Sequence, residues 1–179
     1  MHDEIIAANG DILSVAVDLK GPDVVTPFHE EASARFETVV DGTNILAELF
    51  GFKSVPNGLL VGEDGRLLYK RFSDFDIRNP KIATFVRSFL KGELNFELND
   101  HSGGGGIPVK SMNYFRLGIE RFQVGNLEDA EKAWRKGIAL DPENWLLRKQ
   151  LWALKNPEKF YSGGKIDLEW QKAQIAAGL

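Results

Sequence analysis

The chain of 179 residues has no cysteine, three scattered histidines and no apolar run of membrane length. Without a thiol there is no disulfide, and no thiolate to attack a disulfide sulfur or a peroxide oxygen. Thiol-disulfide exchange and thiol peroxidase turnover are therefore excluded for this chain. Lack of cysteine fits a reducing compartment without requiring one. A membrane span needs roughly 20 apolar residues, which no segment approaches. The start Met1-His-Asp-Glu-Ile-Ile has neither the basic nor the apolar region of a signal peptide. The chain as written is expected to be cytoplasmic, or extracytoplasmic if an upstream segment is missing. His2, His29 and His101 show no paired-ligand spacing and read as surface residues, so no metal site is expected.

Strong positive charge is also absent. The 22 basic and 26 acidic residues give a net charge of -4, which provides no field for a nucleic acid backbone. The charge is unevenly divided. Residues 1–106 carry 10 basic and 17 acidic groups, whereas residues 107–179 carry 12 and 9, for net charges of -7 and +3. Attraction between the halves is screened beyond about 8 Å at physiological salt, so it orients them more than it holds them.

A hydrophobic fraction of 43% is that of an ordinary globular protein. Residues 3–9 are amphipathic and end at Asn9-Gly10, a helix stop. Residues 12–17 are an apolar, β-branched run suited to a buried parallel strand. Pro22 opens a helix through about Arg35, and residues 38–40 form a short strand. Thr43 is expected to cap a helix whose Ile45, Leu46, Leu49 and Phe50 share an apolar face, with Gly51 as its stop. Residues 57–61 and 66–72 flank Glu63-Asp64-Gly65 and predict a hairpin. Asn79-Pro80 begins a helix that Gly92 ends.

The segments Ile12-Leu-Ser-Val-Ala-Val-Asp18, Gly51-Phe-Lys-Ser-Val-Pro56 and Leu59-Leu-Val-Gly-Glu-Asp-Gly-Arg-Leu-Leu-Tyr69, in this order of elements, resemble the thioredoxin-like superfamily, nearest its TlpA-like and redoxin branch. The resemblance covers residues 1 to about 92 and lacks the family's first strand and cysteine motif. It implies an incomplete α/β thioredoxin-like fold and a parent family of thiol-disulfide oxidoreductases. It further implies a cis bond before Pro56, with the backbone at Val55 and Pro56 touching a substrate strand. The missing strand would lie between the runs at 12–17 and 57–61. The gap must then be closed by the chain, filled by a partner's strand, as in a homodimer through the incomplete sheet, or left as a weakness.

Ser102-Gly-Gly-Gly-Gly106 has the composition of a flexible linker. The expected organisation is a thioredoxin-like domain over 1–100, a linker over 101–109 and a helical domain over 110–179. Residues 103–111 fail the phosphate-loop pattern because Val109 stands where a glycine is needed. Beyond the linker, Tyr114, Leu117, Gly118, Gly125, Ala130, Trp134, Gly137 and Pro142 resemble one tetratricopeptide repeat, an all-α helical hairpin. Arg121 stands where that repeat usually has tyrosine, and Phe122 supplies the bulk. A single repeat leaves an apolar face needing cover. A capping helix around Trp145 to Leu154 meets that need, followed by a turn over 156–161 and a last helix over 166–177. The helical part is expected to dock on its own α/β part or on a second copy.

Catalytic residues and cofactors are expected to be none. Asp74 and Asp76 are close enough to hold a cation weakly, or are simply polar loop residues. Tyr114, Arg121, Trp134 and Trp145 would line a peptide groove, or pack within the helical part. Arg121, Lys132, Arg135, Arg148 and Lys149 would attract an acidic peptide, or form a solvated face. The expected function is non-catalytic protein or peptide binding, or scaffolding. The alternative is a truncated thiol-disulfide oxidoreductase or redoxin-like protein whose cysteines lie upstream of Met1. Nucleic acid and membrane partners are not expected.

Overall fold

The computed structural model describes residues 1–94, 107–161 and 166–178. The glycines at 103–106 and His101 lie outside these. Among the described residues the chain is mixed α/β, with four strands in two small sheets and nine helices.

Helix α1 (His2–Ala7) ends where Asn9 turns left-handed. Strand β1 (Leu13–Ala16) pairs in parallel with β2 (Glu37–Val40), and helix α2 (Pro22–Glu31) makes the crossover. A fully buried β1 does not materialise. Leu13 is 60% exposed, because β1 has a strand on one edge only. Strands β3 (Gly58–Val61) and β4 (Leu67–Arg71) form the antiparallel hairpin, turning at Gly65. On this hairpin lies α4 (Pro80–Leu90), which brings Phe85 to 4.5 Å from Tyr69, ring to ring. Asn79 caps α4 by accepting from the Lys81 N–H.

Helix α3 (Ile45–Phe50) departs from the sequence reading at both its start and its face. Its cap is Asp41. That carboxylate accepts from the Ile45 and Leu46 N–H groups at 3.0 and 2.9 Å, and the Thr43 hydroxyl donates to it. Asn44, left-handed at φ 60°, turns the chain so that a carboxylate three residues earlier reaches the free N–H groups. The buried face is Leu46, Ala47 and Phe50, while Ile45 and Leu49 point to solvent. Asp41→Ala should cost about 1–2 kcal/mol in urea unfolding, the usual value of a cap, and Thr43→Ala clearly less. A larger loss at Thr43 would restore it as the cap.

Helices α5 (Val109–Gln123) and α6 (Leu127–Leu140) form an antiparallel hairpin turning at Gly125-Asn126. Gly118 lets them approach. A Cβ there would lie 2.1 Å from Nε1 of Trp134. Phe122 stacks near the same indole at 6.0 Å, filling the place the sequence assigned to it. Helix α7 (Trp145–Lys155) follows, capped by Asn144, with Leu147 packed against Gly137. Residues expected as a plain turn include a short helix, α8 (Glu158–Tyr161), and α9 (Leu168–Ala176) is capped by Asp167.

The apolar face of the hairpin is covered from within the chain. Met112, Phe115 and Ile119 of α5 share one buried cluster with Leu19, Ala47, Phe52 and Phe72 of the α/β part. Polar contacts cross the same boundary. The Leu146 N–H donates to the Lys53 carbonyl at 3.0 Å, Lys53 Nζ pairs with Asp141 at 2.7 Å, and Arg116 pairs with Glu48.

Candidate functional site

All four described strands are edge strands, and β1 does not pair with β3. Between them lies a cavity of about 550 Å³. Leu13 to Asp18 form one part of its lining. Val55, Pro56, Asn57 and Leu59 also line it, together with Leu46, Phe50, Phe52 and Phe72 of the α/β part, and the helical part contributes residues including Leu146, Lys149 and Tyr161. The volume is in the range of ordinary ligand sites. Around it stand large apolar side chains open to solvent: Leu13, Val55, Leu59, Ile166 and Leu168. Grouped exposure of this kind marks an interaction surface more often than scattered single residues do.

The Val55–Pro56 bond is cis. Asn57 ties the adjoining loop together. Its side-chain amide donates to the Ser54 carbonyl, and its oxygen accepts from the Ser73 N–H.

Three titratable groups face the cavity. Burial raises the Asp18 carboxyl above its ordinary value, although the Lys20 N–H donates to it at 2.8 Å and the Tyr161 phenol interacts with it. Burial and the Asp18 charge also push the Tyr161 phenol up. Lys20 sits over the Tyr161 ring, 4.0 Å from its centroid, which fixes that end of the cleft. Lys149 is half-buried and forms no ion pair with a described residue, and burial lowers its pKa.

The unfolded lysine stays protonated to near 10.4, whereas the folded one releases its proton earlier. Its charge therefore lowers stability below the folded pKa, and the deficit fades as pH rises from there toward the unfolded value. Lys149→Met should raise Tm at neutral pH by roughly 2 °C, a size discounted for partial exposure. An unchanged or lower Tm would show that the charge is not strained. Asp18 acts in the opposite pH direction. Its deficit begins as pH rises past the ordinary carboxylate value of 3.8.

Of the residues expected from sequence, Val55 and Pro56 line this cleft. Tyr114, Arg121, Trp134 and Trp145 do not. Trp134 is 1% exposed between α5 and α6, and its indole N–H donates to the Phe115 carbonyl. Tyr114 lies beside Gly137 and under Lys136. Arg121 is exposed on α5, and Trp145 contacts Trp152 and Arg148. Asp74 and Asp76 are already engaged, each by a close arginine, Arg71 and Arg78. Among the described residues no cluster of metal-binding side chains forms. His29 bonds the Phe36 carbonyl, and His2 lies beside Asp3.

Within the basic group, Lys132 and Arg135 pair with Glu128 and Glu131, and Arg148 bonds the Pro142 carbonyl. Lys149 alone of the five faces the cleft. Its periodic position on α7 gave no sign of this, because the cleft exists only in the folded chain, where residues of α7 and β1 line one cavity.

Compared with known proteins, the chain matches no family model, no curated protein and no solved structure. No helix of the described residues is long and apolar enough to cross a membrane.

Proposed function

We propose that this chain is a non-catalytic binding protein, built on a thioredoxin-like scaffold with a tetratricopeptide-like helical part, that holds a segment of a partner polypeptide. One observation carries the reading. A cavity of about 550 Å³ lies between two unpaired strand edges and is rimmed by exposed apolar side chains. Polypeptide segments use such edges through backbone pairing, with side-chain pockets adding selectivity. A protein without thiols binds there without redox chemistry, so insulin reduction and peroxide consumption should stay at background.

The test is selection of random peptides on the immobilised full chain, followed by Kd measurement on cleft variants. Leu59→Asp and Leu168→Asp each place a charge on an exposed rim position and should weaken selected peptides by roughly tenfold or more. Peptides indifferent to both substitutions would bind elsewhere, and the reading would fail.

A second reading is favoured by the position of the gap. It separates the two runs between which the redox family has its first strand. On that reading the chain is part of a thiol-disulfide oxidoreductase or redoxin-like protein. Coding sequence before Met1 that specifies an apolar strand followed by Cys-x-x-Cys would favour it. An upstream stop codon in frame would remove it.

A further inference from the structure

Resting on the reading of the cleft as a polypeptide site, we propose that its occupant is an extended strand carrying an acidic side chain. The strand lies between β1 and β3, pairs with both, and sets its carboxylate against Lys149.

The backbone argues for a strand. Each residue of β1 and β3 carries one N–H and one C=O, and each of these strands has a partner on one edge only. A helix satisfies its own backbone and is about 10–12 Å across, so it would leave both rows of groups unpaired. A small apolar molecule would leave them unpaired as well. An extended segment has donors and acceptors on both edges at the spacing of a ladder, and it converts two separate pairs into one five-stranded sheet. Stability follows too, since two-stranded sheets are marginal and wider ones are not.

The side-chain requirements come from the walls. Successive residues of a strand point to opposite faces. Apolar side chains of the occupant would meet the exposed Leu13, Leu59 and Leu168. Asp18 is already engaged by the Lys20 N–H. Lys149 is the remaining charge, without an anionic partner among the described residues. A carboxylate brought beside it gains a charge-assisted hydrogen bond in partly desolvated surroundings. The chemistry selected is thus an alternating apolar segment with one acidic residue, supplied by another polypeptide.

Three capped ten-residue peptides test this on the full chain by fluorescence anisotropy. The first alternates valine and threonine around a central glutamate, the second has glutamine there, and the third has the glutamate flanked by proline. The glutamate peptide should bind roughly tenfold tighter than the glutamine peptide, a preference that should vanish in Lys149→Met. Proline removes a backbone donor and should weaken binding by a similar factor. Equal binding of glutamate and glutamine peptides overturns the role of Lys149, and equal binding of the proline peptide overturns strand pairing. If none of the three binds while selected peptides still bind the cleft, the strand proposal falls and the polypeptide-binding reading stands. If selected peptides also fail, that reading falls with it. A dimer in sedimentation that Leu59→Asp dissociates would make the occupant a second copy, again overturning the proposal.

Discussion

Gly118→Ala should destabilise the chain by about 3 kcal/mol, although alanine is favoured over glycine in a helix by roughly 1 kcal/mol. The added methyl would overlap the Trp134 ring, 2.1 Å from Nε1 and 2.3 Å from Cδ1. The indole cannot rotate away cheaply. It is buried, flanked by Phe122, and held by its N–H to the Phe115 carbonyl. Overpacking of this kind costs about 1–3 kcal/mol, and a lost buried hydrogen bond adds about 1–3. Urea unfolding gives the loss directly, and Trp134→Phe in the same chain should recover part of it by shrinking the ring. A stabilised Gly118→Ala would mean that α5 and α6 do not approach as closely as described.

Lys53→Met should cost about 3 kcal/mol and loosen the attachment of the helical part. Asp141 is 5% exposed, and its Oδ1 takes Lys53 Nζ at 2.7 Å while its Oδ2 has no partner among the described residues. Removing the lysine leaves a buried charge uncompensated, the situation that costs about 3–5 kcal/mol in fully buried pairs. The lower end is expected because Lys53 keeps some exposure. Lys53→Met combined with Asp141→Asn should regain most of the stability, since no charge then remains to be desolvated. For contrast, Arg135→Met breaks an exposed i,i+4 pair with Glu131 and should change stability by less than about 0.5 kcal/mol. Equal costs at Lys53 and Arg135 would show that the boundary between the halves is open to water.

The parts of the fold that the sequence revealed are those governed by neighbouring residues. Asp64-Gly65 between apolar runs set the hairpin turn, Asn79-Pro80 set the start of α4, and Gly51 at φ 74° stopped α3. The small residues of the repeat-like pattern were read as letting two antiparallel helices approach, and Gly118 sits where α5 meets Trp134 of α6. What depended on distant contacts was less visible. The face of α3 is set by the shared core around Ala47, so Ile45 and Leu49 remain outside despite their apolar character. For Trp134 the sequence left a peptide groove and packing within the helical part both open, and the structure buries it in the space Gly118 leaves. The gap beside β1 was implied only by resemblance, and the exposure of Leu13 and the position of Lys149 supplied its walls.

The unpaired edges of β1 and β3 can be read residue by residue by amide hydrogen exchange. In the free chain, the amides of Leu13–Ala16 and Gly58–Val61 that do not bond β2 or β4 should exchange nearly as fast as exposed loops. Saturation with a selected peptide should slow those same amides by roughly tenfold or more, leaving α5 and α6 unaffected. Strong protection of both strands in the free chain, or no change on binding, would contradict an open cleft between the two half-sheets.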